Sequence, residues 1–173
     1  MNIKQKIKLL EDEIENPKNG LPYDIFLFFS RNIPLINVDL LIKNENNETL
    51  LVYREDEFYK GWHIPGGIIR FKETIEERIK KTALNELDCD IDFKKEPISV
   101  KELIHKDRNN RGHFISMLFS CKLRNLPNEK NRCLDIQNPI DKQWAWFKTT
   151  PKDLLEVHLV YKRFIEGVNC EKM

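Results

Sequence analysis

The sequence predicts an α/β domain built in layers, preceded by a short helical extension. Two observations carry this. Stretches with apolar residues three and four apart alternate with short runs of β-branched and aromatic residues, the patterns of helices and strands. A Gly66-Gly67 pair also stands between a strand-like run and a helical one, and strands mixed with helices before, within and after them imply a layered α/β fold.

The elements follow in order. Ile3, Ile7, Leu10 and Ile14 recur at helical spacing, so residues 2–16 form an amphipathic helix. Pro17, Gly20 and Pro22 then punctuate the chain. A second short helix is expected over residues 23–30. Its cluster Ile25, Phe26, Leu27, Phe28 and Phe29 is too apolar to face water and needs cover from the main domain or from another subunit. Beyond Pro34 the pattern changes to strands, at residues 35–42 and 49–54. Asn44 to Asn47 supply turn residues between them, which reads as a hairpin. In residues 73–87 Ile75, Ile79, Ala83 and Leu87 stand four apart, a helix with one buried face. Further strands are expected near 98–105, 114–123 and 144–147, with Trp144 and Trp146 in the core on one face. Residues 151–164 read as helical. The resulting division is an N-terminal extension over 1–31 and one domain over 32–173.

Composition narrows the function. With 173 residues, 40% hydrophobic and 33% charged, the chain reads as an ordinary globular domain. A formal net charge of +1 gives no global field that favours nucleic acid or an anionic membrane. No apolar run approaches the roughly 18 residues of a membrane span. Lys4, Lys6 and Lys8 interrupt the first ten residues, unlike a signal peptide, so a cytoplasmic location is expected. Cys89, Cys121, Cys133 and Cys170 form no C-x-x-C pair, which disfavours zinc and suggests free thiols.

The chemistry concentrates between Gly66 and Glu86. Gly67 is followed after five residues by Glu73. Seven more lead to Lys81, and Thr82, Asn85 and Glu86 share one helix face. This segment resembles the box of the Nudix hydrolase family, G-x5-E-x7-R-E-U-x-E-E-x-G-U, where U is a bulky apolar residue. Lys81 stands at the box arginine, Thr82 and Asn85 at two of its glutamates, and Glu86 at the third. Ala83 and Cys89 fall at apolar positions, and Asp88 replaces the last glycine.

The resemblance implies an α/β/α sandwich around a central mixed β-sheet. It also implies a Mg²⁺ site, with Mn²⁺ able to stand in, on Gly66, Gly67 and Glu86. Mg²⁺ commonly takes only one or two carboxylates and keeps water and substrate phosphates. One carboxylate where the box has three therefore points to a sparse metal site. The branch that departs in this way is similar to the GDP-mannose mannosyl hydrolases. It shares the Pro34-Leu35 entry to the first strand, Asp39 within it and Arg54 after the second strand. By that resemblance Asp39 and Arg54 bind substrate, and Arg70 substitutes for an arginine that the branch carries at Ile68. The branch also has a Gln-His pair before its last strand. Here Gln137, a candidate metal ligand, and Asp141, a candidate base, stand in that region without a histidine.

His105 is a further candidate base, and Glu73 either braces the loop or serves the catalytic group. His63, between Trp62 and Pro65, reads as a packed strand residue. The expected function is Mg²⁺-dependent hydrolysis of a nucleoside diphosphate linked to another group, a nucleotide sugar of the GDP-mannose kind. The alternatives are a pyrophosphatase of the ADP-ribose type, attacking phosphorus, and an inactive nucleotide-sugar sensor. A homodimer through the N-terminal helices is expected, with no nucleic-acid or membrane partner.

Overall fold

The structure is a computed structural model and describes residues 1–167. Cys170 lies outside the described residues. Helix α1 (Ile3–Asp12) begins with a reciprocal cap between Asn2 and Gln5 and buries none of its side chains. Helix α2 (Tyr23–Asn32) buries Ile25 and Ser30. Phe26 packs against Leu35, Leu103 and Phe114, so the main domain covers part of the apolar cluster. Phe28 and Phe29 stay exposed.

Two sheets follow. The larger holds β1 (Leu35–Ile42), β4 (Gly66–Ile68), β5 (Ile91–Phe93), β6 (Ser99–Ile104) and β7 (His113–Leu123), in the order β4-β1-β7-β5 with β6 also on β7. It is mixed: β1 and β7 run parallel, and the other pairs are antiparallel. The smaller sheet is antiparallel, β3 (Lys60–His63), β2 (Thr49–Glu55) and β8 (Trp144–Phe147), with β2 in the middle. The turn at Asn44–Asn47 is present, but the expected hairpin is not. Beyond an isolated Lys43–Thr49 bridge, β1 and β2 part into different sheets. Both are buried along most of their length, and a strand buried on both faces needs a partner on each edge, which a lone hairpin cannot supply.

Helix α3 (Ile75–Leu87) starts at a Thr74–Glu77 capping box and ends at Asp88, whose φ of 52° is left-handed. Asp tolerates that conformation better than most residues, which explains how it replaces the glycine of the box. Ile79, Ala83 and Leu87 pack with Val38, Leu40, Phe119 and Trp144, and Trp146 joins them. On the opposite side Tyr161 and Ile165 pack with Leu41, Leu51, Trp62 and Leu118. The single helix expected over 151–164 is a 3₁₀ segment, Glu156–Tyr161, followed by the short helix α4 (Lys162–Ile165). The preceding residues lie along β3: Trp62 N–H donates to Asp153 O (2.9 Å) and Leu155 N–H to Trp62 O (2.8 Å). Backbone groups bonded to a strand edge are not free to close helical turns.

Candidate active site

The register of β4 on β1 sets the site. Leu40 N–H donates to Pro65 O and Ile69 N–H to Ile36 O. Alternation along an antiparallel ladder then turns the backbone groups of Gly67 toward Val38 and those of Gly66 away from β1. The Gly66 carbonyl is therefore free to meet a ligand, whereas that of Gly67 is spent in the sheet. Both positions need glycine for space. A Cβ on Gly66 would overlap the Asp39 carboxylate, and one on Gly67 would overlap the Thr82 hydroxyl of α3.

Asp39 sits opposite Gly66 and is 1% exposed. Ser116 Oγ donates to one of its oxygens and Asn37 Nδ2 to the other (2.7 Å). Burial pushes its carboxyl up to about 6, against the pull of the hydrogen bonds from Ser116 and Asn37. Across the glycine pair, α3 presents Thr82, Asn85 and Glu86. The Glu86 carboxylate lies 3.8 Å from His63 Nε2. His63 is buried, its Nδ1 lies 2.8 Å from Ile64 O, and burial lowers its pKa. His158, from the 3₁₀ segment, stands edge-on to it at 6.0 Å and accepts the Ile64 N–H at Nδ1 (3.1 Å). Burial, with His63 nearby, holds His158 down to about 3. Both imidazoles are thus neutral at pH 7.

These groups line one cavity of about 460 Å³ with Arg54, Arg70 and Arg111. Arg54 Nε is engaged with Asp56 at 2.6 Å. Arg70 has no carboxylate partner among the described residues and lies against Gly20. Of the residues expected from the sequence, the cavity gathers Asp39, Arg54, Gly66, Gly67, Arg70 and Glu86.

Four expected residues lie outside it. Glu73 points into the protein, where it holds Arg78 (2.6 Å), Lys81 (2.9 Å) and the Arg70 N–H (2.9 Å). Burial pushes its carboxyl up, but bonds from Lys81, the Arg70 amide and Arg78 prevail and bring it down to about 2. It braces the loop. Asp141 accepts the Glu55 N–H (2.9 Å) at an exposed turn, and Gln137 is exposed in a turn closed by Asp135. His105 packs edge-on to Tyr59 at 5.8 Å and lines a neighbouring recess. The structure thus places Gln137, Asp141 and His105 outside the lining of this cavity.

No protein-family model matches the chain. A curated relative, the low-salt glycan biosynthesis protein Agl8 of Haloferax volcanii, is 33% identical over 81 residues, 46% of this chain and 51% of that protein. The chain thus matches about half the length of this relative. Among solved structures, a MutT Nudix hydrolase from Burkholderia pseudomallei aligns over 80% of this chain and all of its own, with TM-score 0.59 and 18% identity. A Nudix hydrolase from Nitrosomonas europaea aligns over 78% and 72% respectively, with TM-score 0.58 and 23% identity. A UDP-X diphosphatase aligns over 96% and 68%, with TM-score 0.56 and 17% identity.

The chain has the Nudix fold. Lys81 sits where the Nudix box has arginine, and it makes an ion pair with Glu73. The position that holds metal in the Nudix resemblance is the sparse one. Among the described residues, no three His, Cys, Asp or Glu side chains converge on a cation site. Glu86 and the free Gly66 carbonyl still offer two oxygen ligands on one side of the cavity. That set suits Mg²⁺ completed by water and substrate phosphates. His158 and Asn37 are not legible in the sequence as site residues. His158 lies beyond the last strand and only chain folding brings it to Ile64.

Proposed function

We propose that the chain is a Mg²⁺-dependent hydrolase of a nucleoside diphosphate linked to another group, most closely a nucleotide sugar. One observation carries the reading: a single cavity places Glu86 and the Gly66 carbonyl beside an unpaired Arg70 and the buried carboxyl of Asp39. Glu86 and Gly66 are the groups that would hold Mg²⁺, which supplies charge neutralisation at the diphosphate. Arg70 and Arg54 bind phosphate oxygens with charge-assisted hydrogen bonds. Asp39 accepts the proton of the attacking water. A carboxyl at about 6 is ionised at neutral pH yet basic enough for that task. Ser116 and Asn37 hold its two oxygens in place.

Two observations support a sugar as the linked group. The box helix keeps one carboxylate of three. The curated relative's name concerns glycan biosynthesis. Attack at the sugar carbon, as in the GDP-mannose branch, goes with that sparse metal site. The alternative is a pyrophosphatase of the ADP-ribose type with attack at phosphorus, and an ADP-ribose pyrophosphatase from Streptococcus suis is also among the structural neighbours, at TM-score 0.52 and 16% identity. Turnover of a panel of nucleotide sugars, ADP-ribose and dinucleoside polyphosphates with Mg²⁺ and Mn²⁺ tests the proposal. Hydrolysis in ¹⁸O-labelled water places the attack, since label in the phosphate product excludes carbon.

A second reading, a sensor without turnover, is favoured by Thr82 and Asn85 in place of carboxylates. It holds if no member of the panel is cleaved while a nucleotide sugar raises the melting temperature. The protein acts as a cytoplasmic homodimer in this proposal. Among the described residues no helix is long and apolar enough to cross a membrane. Helix α1 leaves Ile3, Ile7, Leu9 and Leu10 uncovered within the monomer.

A further inference from the structure

His63 reads from the sequence as a packed strand residue. Its burial fits that role and leaves one ring nitrogen unaccounted for. Trp62 and His63 end β3 and point to opposite faces of it. Trp62 enters the core beside Leu51 and Leu118, and His63 turns to the cavity. His63 Nδ1 lies 2.8 Å from Ile64 O. A carbonyl oxygen only accepts, so Nδ1 carries the hydrogen and the neutral ring leaves a lone pair on Nε2. That nitrogen faces Glu86 Oε2 at 3.8 Å, too far for a hydrogen bond. The His63 side chain is only 6% exposed. Two electron-rich groups thus meet at the cavity wall with no proton between them, and a cation satisfies both.

His158 makes the contrast. Its Nδ1 accepts the Ile64 N–H at 3.1 Å, so its own hydrogen is on Nε2 and no lone pair is left free. The two backbone groups of Ile64 therefore fix opposite tautomers in adjacent rings, and only His63 is set to give up a nitrogen lone pair.

We propose that His63 Nε2 is a metal ligand, which joins Glu86 in a mixed nitrogen–oxygen site that favours borderline divalent cations such as Co²⁺ over Mg²⁺. The inference rests on the reading of Glu86 and the Gly66 carbonyl as the groups that hold metal. Metal-bound imidazoles donate their other N–H to a backbone carbonyl or carboxylate, which fixes the tautomer and aims the ligand nitrogen. His63 already has that bond, to Ile64. Two metal–ligand bonds of about 2.0–2.2 Å each span the 3.8 Å from Nε2 to Oε2 through one ion. Carboxylate and carbonyl oxygens suit Mg²⁺, whereas imidazole suits the later transition metals. Thr82 and Asn85 in place of two box carboxylates remove charge that a small hard cation uses. Mg²⁺ is held here by the oxygens, and a softer ion takes the nitrogen as well.

Calorimetric titration of the metal-free full chain with Co²⁺ and with Mg²⁺, joined to proton NMR of the Co²⁺ form, tests this. Co²⁺ should bind at least about tenfold more tightly than Mg²⁺. The Co²⁺ form should show a far-shifted exchangeable imidazole resonance, the Nδ1–H of His63. His63→Gln and His63→Asn should each remove that resonance and most of the Co²⁺ margin while Mg²⁺ affinity changes little. Glu86→Gln should weaken both ions. Thermal unfolding confirms that the variants fold, and either one suffices. If neither folds, the resonance of the unaltered chain decides. The proposal is overturned if the Co²⁺ form lacks the resonance, or if folded variants keep the margin. Co²⁺ binding that depends on Glu86 but gives no resonance removes His63 and leaves the metal reading. A resonance without turnover in the hydrolysis panel removes the hydrolase and leaves the ligand.

Discussion

Glu73 and Glu86 are both glutamates of the same motif, and their surroundings give them opposite tasks. The Glu73 side chain is 2% exposed and is held by two cations and an amide. Its folded-state pKa of about 2 lies below the unfolded 4.5. The stabilisation it gives is therefore complete above pH 4.5 and is lost as pH falls toward 2. Glu73→Gln should cost on the order of 3 kcal/mol at pH 7, and urea unfolding at pH 7 and pH 3 should show the cost shrinking in acid. Glu86 is partly open to the cavity, beside a neutral His63. Glu86→Gln should abolish Mg²⁺-dependent turnover and leave the melting temperature within a degree or two. Asp39→Asn should cut kcat by about 10²–10⁴-fold, the range of a lost general base. A smaller loss in kcat with a raised KM would assign Asp39 to substrate binding, the role implied by the sequence resemblance.

At the scale of elements, the contact of β4 with α3 fixes the distance between the Gly66 carbonyl and Glu86. Gly67 and Thr82 meet there without room for a methyl group. Gly67→Ala should destabilise by about 1–3 kcal/mol, the range for overpacking. Adding Thr82→Ala should recover part of it, because adjacent sites couple. Full additivity in a double-mutant cycle by thermal unfolding would show that the two elements do not press on each other. Helix α3 is legible in the four-residue spacing of Ile75, Ile79, Ala83 and Leu87. The sequence predicts a longer C-terminal helix than the one that forms, because nothing in residues 151–155 announces that β3 takes their hydrogen bonds. The hairpin at Asn44–Asn47 failed for a similar reason: local turn chemistry specifies a reversal but not which sheet each strand joins.

For the whole molecule, α1 supplies the sharpest prediction. It buries nothing within the chain, so removing residues 1–15 should leave the melting temperature of a monomer unchanged. If those residues form the proposed homodimer, sedimentation at micromolar concentration should show a dimer that the truncation dissociates. A monomeric full chain would refute the dimer and leave the site as described.

The sequence by itself determined the α/β class, the position of the glycine loop, the phase of α3 and the loss of two carboxylates from it. Each is written in neighbouring residues: a spacing of four, a paired glycine, a count of charges on one face. Only the tertiary structure decided which distant groups complete the site. Asp39 could face either way in the sequence and is turned inward by the register of β1 between β4 and β7. Glu73 was withdrawn from the cavity by Arg78 and Lys81, and Asp141 and Gln137 by their turns. His158 and Arg111 were brought in from the end of the chain and from a loop. The Gly66–Glu86 segment announced that there is a site, because its spacing is local. What surrounds that segment depends on contacts between residues tens of positions apart, which folding alone makes neighbours.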